Sequence, residues 1–94
     1  MPPLEHVPPS PGVYFLYRGG RLIYIGVAGN GGGIREALAS HVASACAACT
    51  RQDTTFRYEL APDPRRRHAQ YLRAYRQRHE GRVPACNECR PCGC

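Results

Sequence analysis

The sequence predicts an α+β domain, a small three-stranded antiparallel sheet flanked by helices and followed by a cysteine-rich C-terminal tail. Three observations carry this expectation. Two β-rich runs, Gly12-Val13-Tyr14-Phe15-Leu16-Tyr17 and Leu22-Ile23-Tyr24-Ile25-Gly26-Val27, flank a Gly19-Gly20 hairpin signal. Two helical stripes follow, with one further strand between them. Six cysteines then fall into two clusters, Cys46 with Cys49, and Cys86, Cys89, Cys92 and Cys94.

Taken in order, residues 1–11 carry Pro2, Pro3, Pro8, Pro9 and Pro11 and read as an extended arm. Residues 12–94 then form a single domain that includes the tail 86–94. Residues 28–33 are glycine-rich and form a loop. Ile34 to about Cys46 reads as a helix, with Ile34, Leu38, His41, Val42 and Ala45 on one stripe. A polar connection over 46–53 leads to a third strand, Thr54–Leu60, which is β-branched and aromatic at its start. Asp63 is the expected N-cap of a second helix and Pro64 its first residue. That helix runs to about His79, placing His68, Tyr71, Leu72, Tyr75 and His79 on one face. Glu80-Gly81 ends it, helped by Pro84. The tail from Cys86 is too poor in apolar residues to order itself and needs a clamp.

Ninety-four residues suffice for one small core. No apolar run reaches the length of a membrane span. The first residues lack the basic and apolar regions of a secretory leader, so a cytoplasmic location is expected. The chain reads as complete, so any targeting is expected from a partner or a dimer. The net charge is +6, and every one of the 13 basic residues is Arg. Arg presents a planar fork of donors that suits phosphate, and a small basic domain favours nucleic acid. The same composition also fits a GC-rich genome. Arg65, Arg66, Arg67 and Arg73 on the second helix can track a phosphate backbone; the alternative is a solvated helix face. The triplet Arg65–Arg67 opposes the helix dipole, which weakly favours a binding role.

The pair Gly12-Val13-Tyr14 and Tyr24-Ile25-Gly26, nine residues apart, resembles the two signature motifs of the GIY-YIG nuclease superfamily. With Ser10-Pro11 before it, the start of the domain is similar to the nuclease module of the bacterial excision-repair endonuclease subunit. The resemblance covers roughly residues 10–87 and includes the order of elements. It implies metal-assisted phosphodiester hydrolysis of DNA: a divalent ion held by a Glu on the later helix, a motif Tyr that helps activate water, and an Arg on the first helix that stabilises charge on phosphate. Transferred residue by residue, Tyr14 and Tyr24 match the motif tyrosines, and Gly26 matches the close-packing glycine. His41 matches the His that follows the family's Arg by four residues, and Pro84 and Asn87 resemble its closing P-x-x-N segment. The implied catalytic set is Tyr14, Tyr24, Arg35, His41 and His68.

Two positions depart from the family pattern. If His41 sets the register, the family's Arg position is Ala37; if the distance from Gly26 sets it, Arg35 lies one residue past the expected place. These two positions point in very different directions on a helix. The family's Glu position is His68, and no Asp or Glu occurs between Asp63 and Glu80. Carboxylate suits Mg²⁺, whereas imidazole suits softer ions such as Zn²⁺ or serves as a proton carrier.

Cys46-Ala-Ala-Cys49 and Cys86-Asn-Glu-Cys89 can each offer two thiolates, and together they make a closed structural zinc site. Such a site would supply the clamp the tail needs. Cys92 and Cys94 are surplus or alternative ligands. The spacing Cys86-x-x-Cys89-x-x-Cys92 also fits some iron–sulfur runs, and disulfides or free thiols are the remaining alternative. Three functional expectations follow: a small divalent-metal-dependent DNA endonuclease, a catalytically degenerate nucleic-acid-binding module with structural zinc, or cysteine-based chemistry on the same scaffold. Oligomeric state is not legible in the sequence.

Overall fold

The computed structural model describes residues 4–29, 31–43 and 54–87. Its elements are strand β1 (Gly12–Arg18), strand β2 (Arg21–Ala28), helix α1 (Gly33–Ala43), strand β3 (Thr54–Leu60), helix α2 (Pro64–Arg78) and a 3₁₀ turn (Ala85–Asn87). The sheet order is β2-β1-β3, and both pairings of β1 are antiparallel. The α+β class and the three-stranded antiparallel sheet stand as expected.

Gly19 and Gly20 have φ of 58° and 78°, the left-handed pair that a two-residue type I′ hairpin requires. Leu16 opposes Tyr24 and Tyr17 opposes Leu22, so Ile23 is an extra residue on β2. This bulge turns Ile23 into the same core as Leu16.

Strand alternation then sorts the side chains onto two faces. Tyr14, Leu16 and Tyr24 point toward α1, where Ile34 and Leu38 are completely buried. Phe15, Tyr17 and Ile25 point toward α2, with the Phe15 ring set edge-on against Tyr71 at 4.9 Å. The two helices therefore cover opposite faces of the sheet. Asp63 caps α2, accepting from the Arg66 N–H at 3.4 Å, with Pro64 in the first turn. No residue of α2 is fully buried, so this helix covers its face more loosely than α1 covers the other.

The N-terminal segment departs from the extended arm expected of its prolines. Val7 is buried in the α1-side core, and its N–H closes a turn onto the Leu4 carbonyl at 3.1 Å. The Ser10 carbonyl accepts from the Ile34 N–H at 3.0 Å, and the Pro11 carbonyl from the Ala61 N–H at 3.0 Å. The prolines keep the chain stiff, but one apolar residue among them has a core to enter, and its burial sets the path. The expected helix end beyond Ala43, the connection over 46–53 and the tail past Asn87 lie outside the described residues.

On the α2 face, Glu59 receives Arg67 Nε at 2.6 Å and the Tyr71 hydroxyl at 2.6 Å. Arg67 first, and Tyr71 second, hold the Glu59 carboxyl below the usual carboxylate range. A lowered folded-state value means stabilisation that is present above the unfolded value of about 4.3 and lost as pH falls through the folded one. The Arg67 and Glu59 side chains are 43% and 37% exposed, so solvent screens the pair and its contribution is small. Thermal melts should find the parent slightly more stable than Glu59→Gln at neutral pH, with the two curves converging below about pH 4. A gap that persists unchanged into acid would show that the carboxylate is not the stabilising group.

Candidate tyrosine–histidine site

Tyr14 on β1 stands opposite Gly26, and Tyr24 on β2 stands opposite Leu16, so both phenols lie on the α1 face. His41 lies in the last turn of α1, on the side that carries Ala37 and Leu38. The helix lowers its imidazole onto both rings. The Tyr14 ring centroid is 5.5 Å from that of His41 and 5.9 Å from that of Tyr24, and Tyr24 and His41 are 5.0 Å apart. Tyr14 Oη lies 2.8 Å from His41 Nε2.

The charges on this cluster follow from burial. Tyr14 is 4% exposed, and burial first, with Tyr24 second, pushes its phenol far above the ordinary tyrosine range. Burial likewise pushes His41 below the ordinary histidine range. At neutral pH both groups are uncharged. Tyr14 is then the donor and Nε2 the acceptor, which leaves the imidazole proton on Nδ1. Chemically this is a preformed relay: if the Tyr14 oxygen takes a proton, its own proton has an imidazole to go to. Tyr24, half-buried, is the more accessible of the two phenols.

The other expected members stand elsewhere. Arg35 is turned onto the N-terminal segment, donating from Nε to the Val7 carbonyl at 2.6 Å and from Nη2 to the Glu5 carbonyl at 3.3 Å. The structure does not bring it to the tyrosines. Ala37, four residues before His41 and on its side of the helix, packs against the core that holds Tyr14. The two registers left open by the sequence are thereby separated: the side facing the tyrosines carries a methyl group, and the guanidinium lies about 200° round the helix from it. Arg35 has a structural task because the buried turn at Val7 exposes carbonyls that need a donor.

His68 is held at the free edge of β2. Its Nε2 is 3.0 Å from the Ile25 carbonyl and must donate, because a carbonyl oxygen only accepts. The same carbonyl accepts Asn87 Nδ2 at 2.9 Å, and the Ile25 N–H donates to Asn87 Oδ1 at 2.8 Å. His68 therefore has its Nε2 committed to the backbone. Among the described residues no group of three or more His, Cys, Asp or Glu could hold a metal ion. Two phenols and one imidazole, with no carboxylate among their recorded partners, do not suit the Mg²⁺ that the family resemblance implies.

Of the expected phosphate-binding arginines, Arg65, Arg66 and Arg73 are exposed on α2. Arg67 is not free for phosphate: it is committed to Glu59, Gln70 and the Tyr71 hydroxyl, with its guanidinium 4.4 Å from the Tyr71 ring centroid. Of the expected cysteine ligands, Cys46, Cys49, Cys89, Cys92 and Cys94 lie outside the described residues. Cys86 is buried in the α1-side core and is disulfide-bonded. A thiolate ligand set that includes Cys86 requires that bond to be reduced. The residue the sequence undervalued is Asn87; the P-x-x-N spacing pointed to it but gave no reason for an amide at that position.

No protein-family model, no curated protein and no solved structure matches this chain.

Proposed function

We propose that this chain is a nucleic-acid-binding domain on a GIY-YIG-type scaffold whose tyrosine cluster has lost the cation needed for phosphodiester hydrolysis. The observation that carries the proposal is the pairing of Ala37 with Arg35. The helix side facing Tyr14 and Tyr24 bears a methyl group, while the guanidinium is spent on the Val7 and Glu5 carbonyls. Charge developing on a phosphate beside these tyrosines would meet no cation. Binding remains supported by the excess of 13 Arg over 7 acidic residues. A zinc site on Cys46, Cys49, Cys86 and Cys89 belongs to the same proposal as the clamp for the tail.

One observation favours a second reading, metal-dependent DNA cleavage. The Tyr14–His41 hydrogen bond is the arrangement a proton relay needs. The test is incubation of the full chain with single- and double-stranded DNA in Mg²⁺, Mn²⁺ and Zn²⁺, with binding measured in parallel over a salt series. The expected result is binding that weakens steeply with salt and no cleavage that depends on the tyrosines. Cleavage that drops at least about tenfold in both Tyr14→Phe and His41→Ala would overturn the proposal and establish the relay. Absence of DNA binding at low salt would reject both readings.

A further inference from the structure

On the sheet face opposite the tyrosine–histidine cluster, two adjoining cavities open between β2, α2 and the segment after it. Their volumes are about 440 and 540 Å³, and they share Arg21, Tyr75, Arg78 and His79. Each falls within the range of small-ligand sites, about 300–1,000 Å³. The inner cavity is walled by Phe15, Tyr71 and Tyr75, and the outer one adds Arg82 and the single carboxylate of Glu80. The Tyr75 and His79 rings lie one helical turn apart and stack at 3.9 Å and 15°, forming one flat plate at the junction. Among the described residues, the side chains of Arg21, Arg78 and Arg82 have no hydrogen-bond or ion-pair partner, in contrast to Arg67 and Arg35.

We infer that this groove is the seat of a single-stranded nucleic acid, with an unstacked base on the Tyr75–His79 plate and flanking phosphates on Arg21, Arg78 and Arg82. The inference rests on the nucleic-acid-binding reading and gives it a location and a strand preference. Two features select a single strand. Aromatic walls at the bottom of a groove reach base faces only where those faces are not already stacked within a duplex. Three guanidinium groups against one carboxylate leave a net positive rim that fits a phosphate chain. The arginines expected from the sequence, Arg65, Arg66 and Arg73, lie outside both cavity linings. They are available for general electrostatic attraction but have no aromatic groove to specify a strand.

The test is fluorescence anisotropy of the full chain with a fluorescein-labelled oligothymidylate of about 10 nucleotides and with a duplex of equal length, over a salt series. The single strand should bind more tightly than the duplex. Tyr75→Ala should weaken it about tenfold. Arg78→Ala should reduce the log–log salt slope by about 0.7, the value of one phosphate contact on a single strand. Both positions are at least partly exposed, and circular dichroism of each variant checks that the fold is kept. Binding that ignores Tyr75→Ala and Arg78→Ala but is lost in Arg65→Ala/Arg73→Ala, or a preference for duplex, would overturn the groove and leave the broader reading standing. No binding of either oligonucleotide at low salt would reject both.

Discussion

Gly26→Ala is expected to destabilise the domain by about 3 kcal/mol, because the Tyr14 ring lies directly across the glycine. A methyl group at position 26 would overlap Tyr14 Cζ and stand 2.5 Å from both Cε2 and Oη. The ring cannot swing away freely: Tyr14 is buried and its hydroxyl is bonded to His41. Glycine inside a strand is itself unfavourable by roughly 0.5–1 kcal/mol relative to alanine, so the clash must exceed that gain before any loss is seen. For a chain of this length about 3 kcal/mol corresponds to a fall in melting temperature of roughly 12–24 °C. A double-mutant cycle identifies the cause. Gly26→Ala should be nearly harmless in a Tyr14→Ala background, where the ring is gone, and almost as costly in Tyr14→Phe as in the parent, where the ring remains. Equal cost in the Tyr14→Ala background would mean that Gly26 serves the backbone and not the ring. The glycine of the second motif is thus explained by packing: it lets the first motif's tyrosine lie flat across the neighbouring strand and reach α1.

That packing explains which parts of the molecule could be read in advance. The hairpin was legible because Gly19-Gly20 has one good conformational use, and the flanking runs are β-rich. The start of α2 was legible because Asp63-Pro64 is a local signal. Tyr14, Tyr24 and His41 were legible as a cluster because strand alternation and helical spacing act over a few residues. Arg35 was not. Its direction depends on where the N-terminal segment turns, and that turn is set by burial of Val7 against a core assembled from distant residues. The groove arginines were missed for the same reason. Arg21 begins β2, whereas Arg78 and Arg82 flank the end of α2, and only the packing of α2 on the sheet brings them to one rim. Arg67 failed as a phosphate ligand because strand alternation puts Glu59 on the face that α2 covers.

Asn87→Leu is expected to cost about 2–3 kcal/mol, although the residue lies in a single 3₁₀ turn of a segment with little apolar surface. β2 is an outer strand, so the outward N–H and carbonyl of Ile25 have no strand partner on that side. The Asn87 amide supplies both halves of the missing rung, at 2.8 and 2.9 Å. Leucine keeps the volume and removes both bonds. The Ile25 carbonyl retains His68, but its N–H is left without a partner in a residue only 2% exposed, and that orphaned donor sets the size of the loss. Cys86, the preceding residue, is buried in the core and disulfide-bonded, so the turn is held in place from its other side as well. Asn87→Asp gives a sharper test through pH. Its ionised carboxylate can still accept from the Ile25 N–H but sets a second negative oxygen against the Ile25 carbonyl, so the folded state favours the protonated acid. A raised folded-state value means stability that is present below the unfolded value of about 3.9 and lost as pH rises through the folded one. Denaturant melts should therefore show the gap between Asn87→Asp and the parent closing as pH is lowered below about 4, while Asn87→Leu stays destabilised throughout. If Asn87→Leu matches the parent, or if the Asn87→Asp gap ignores pH, the amide is not the rung that completes the sheet.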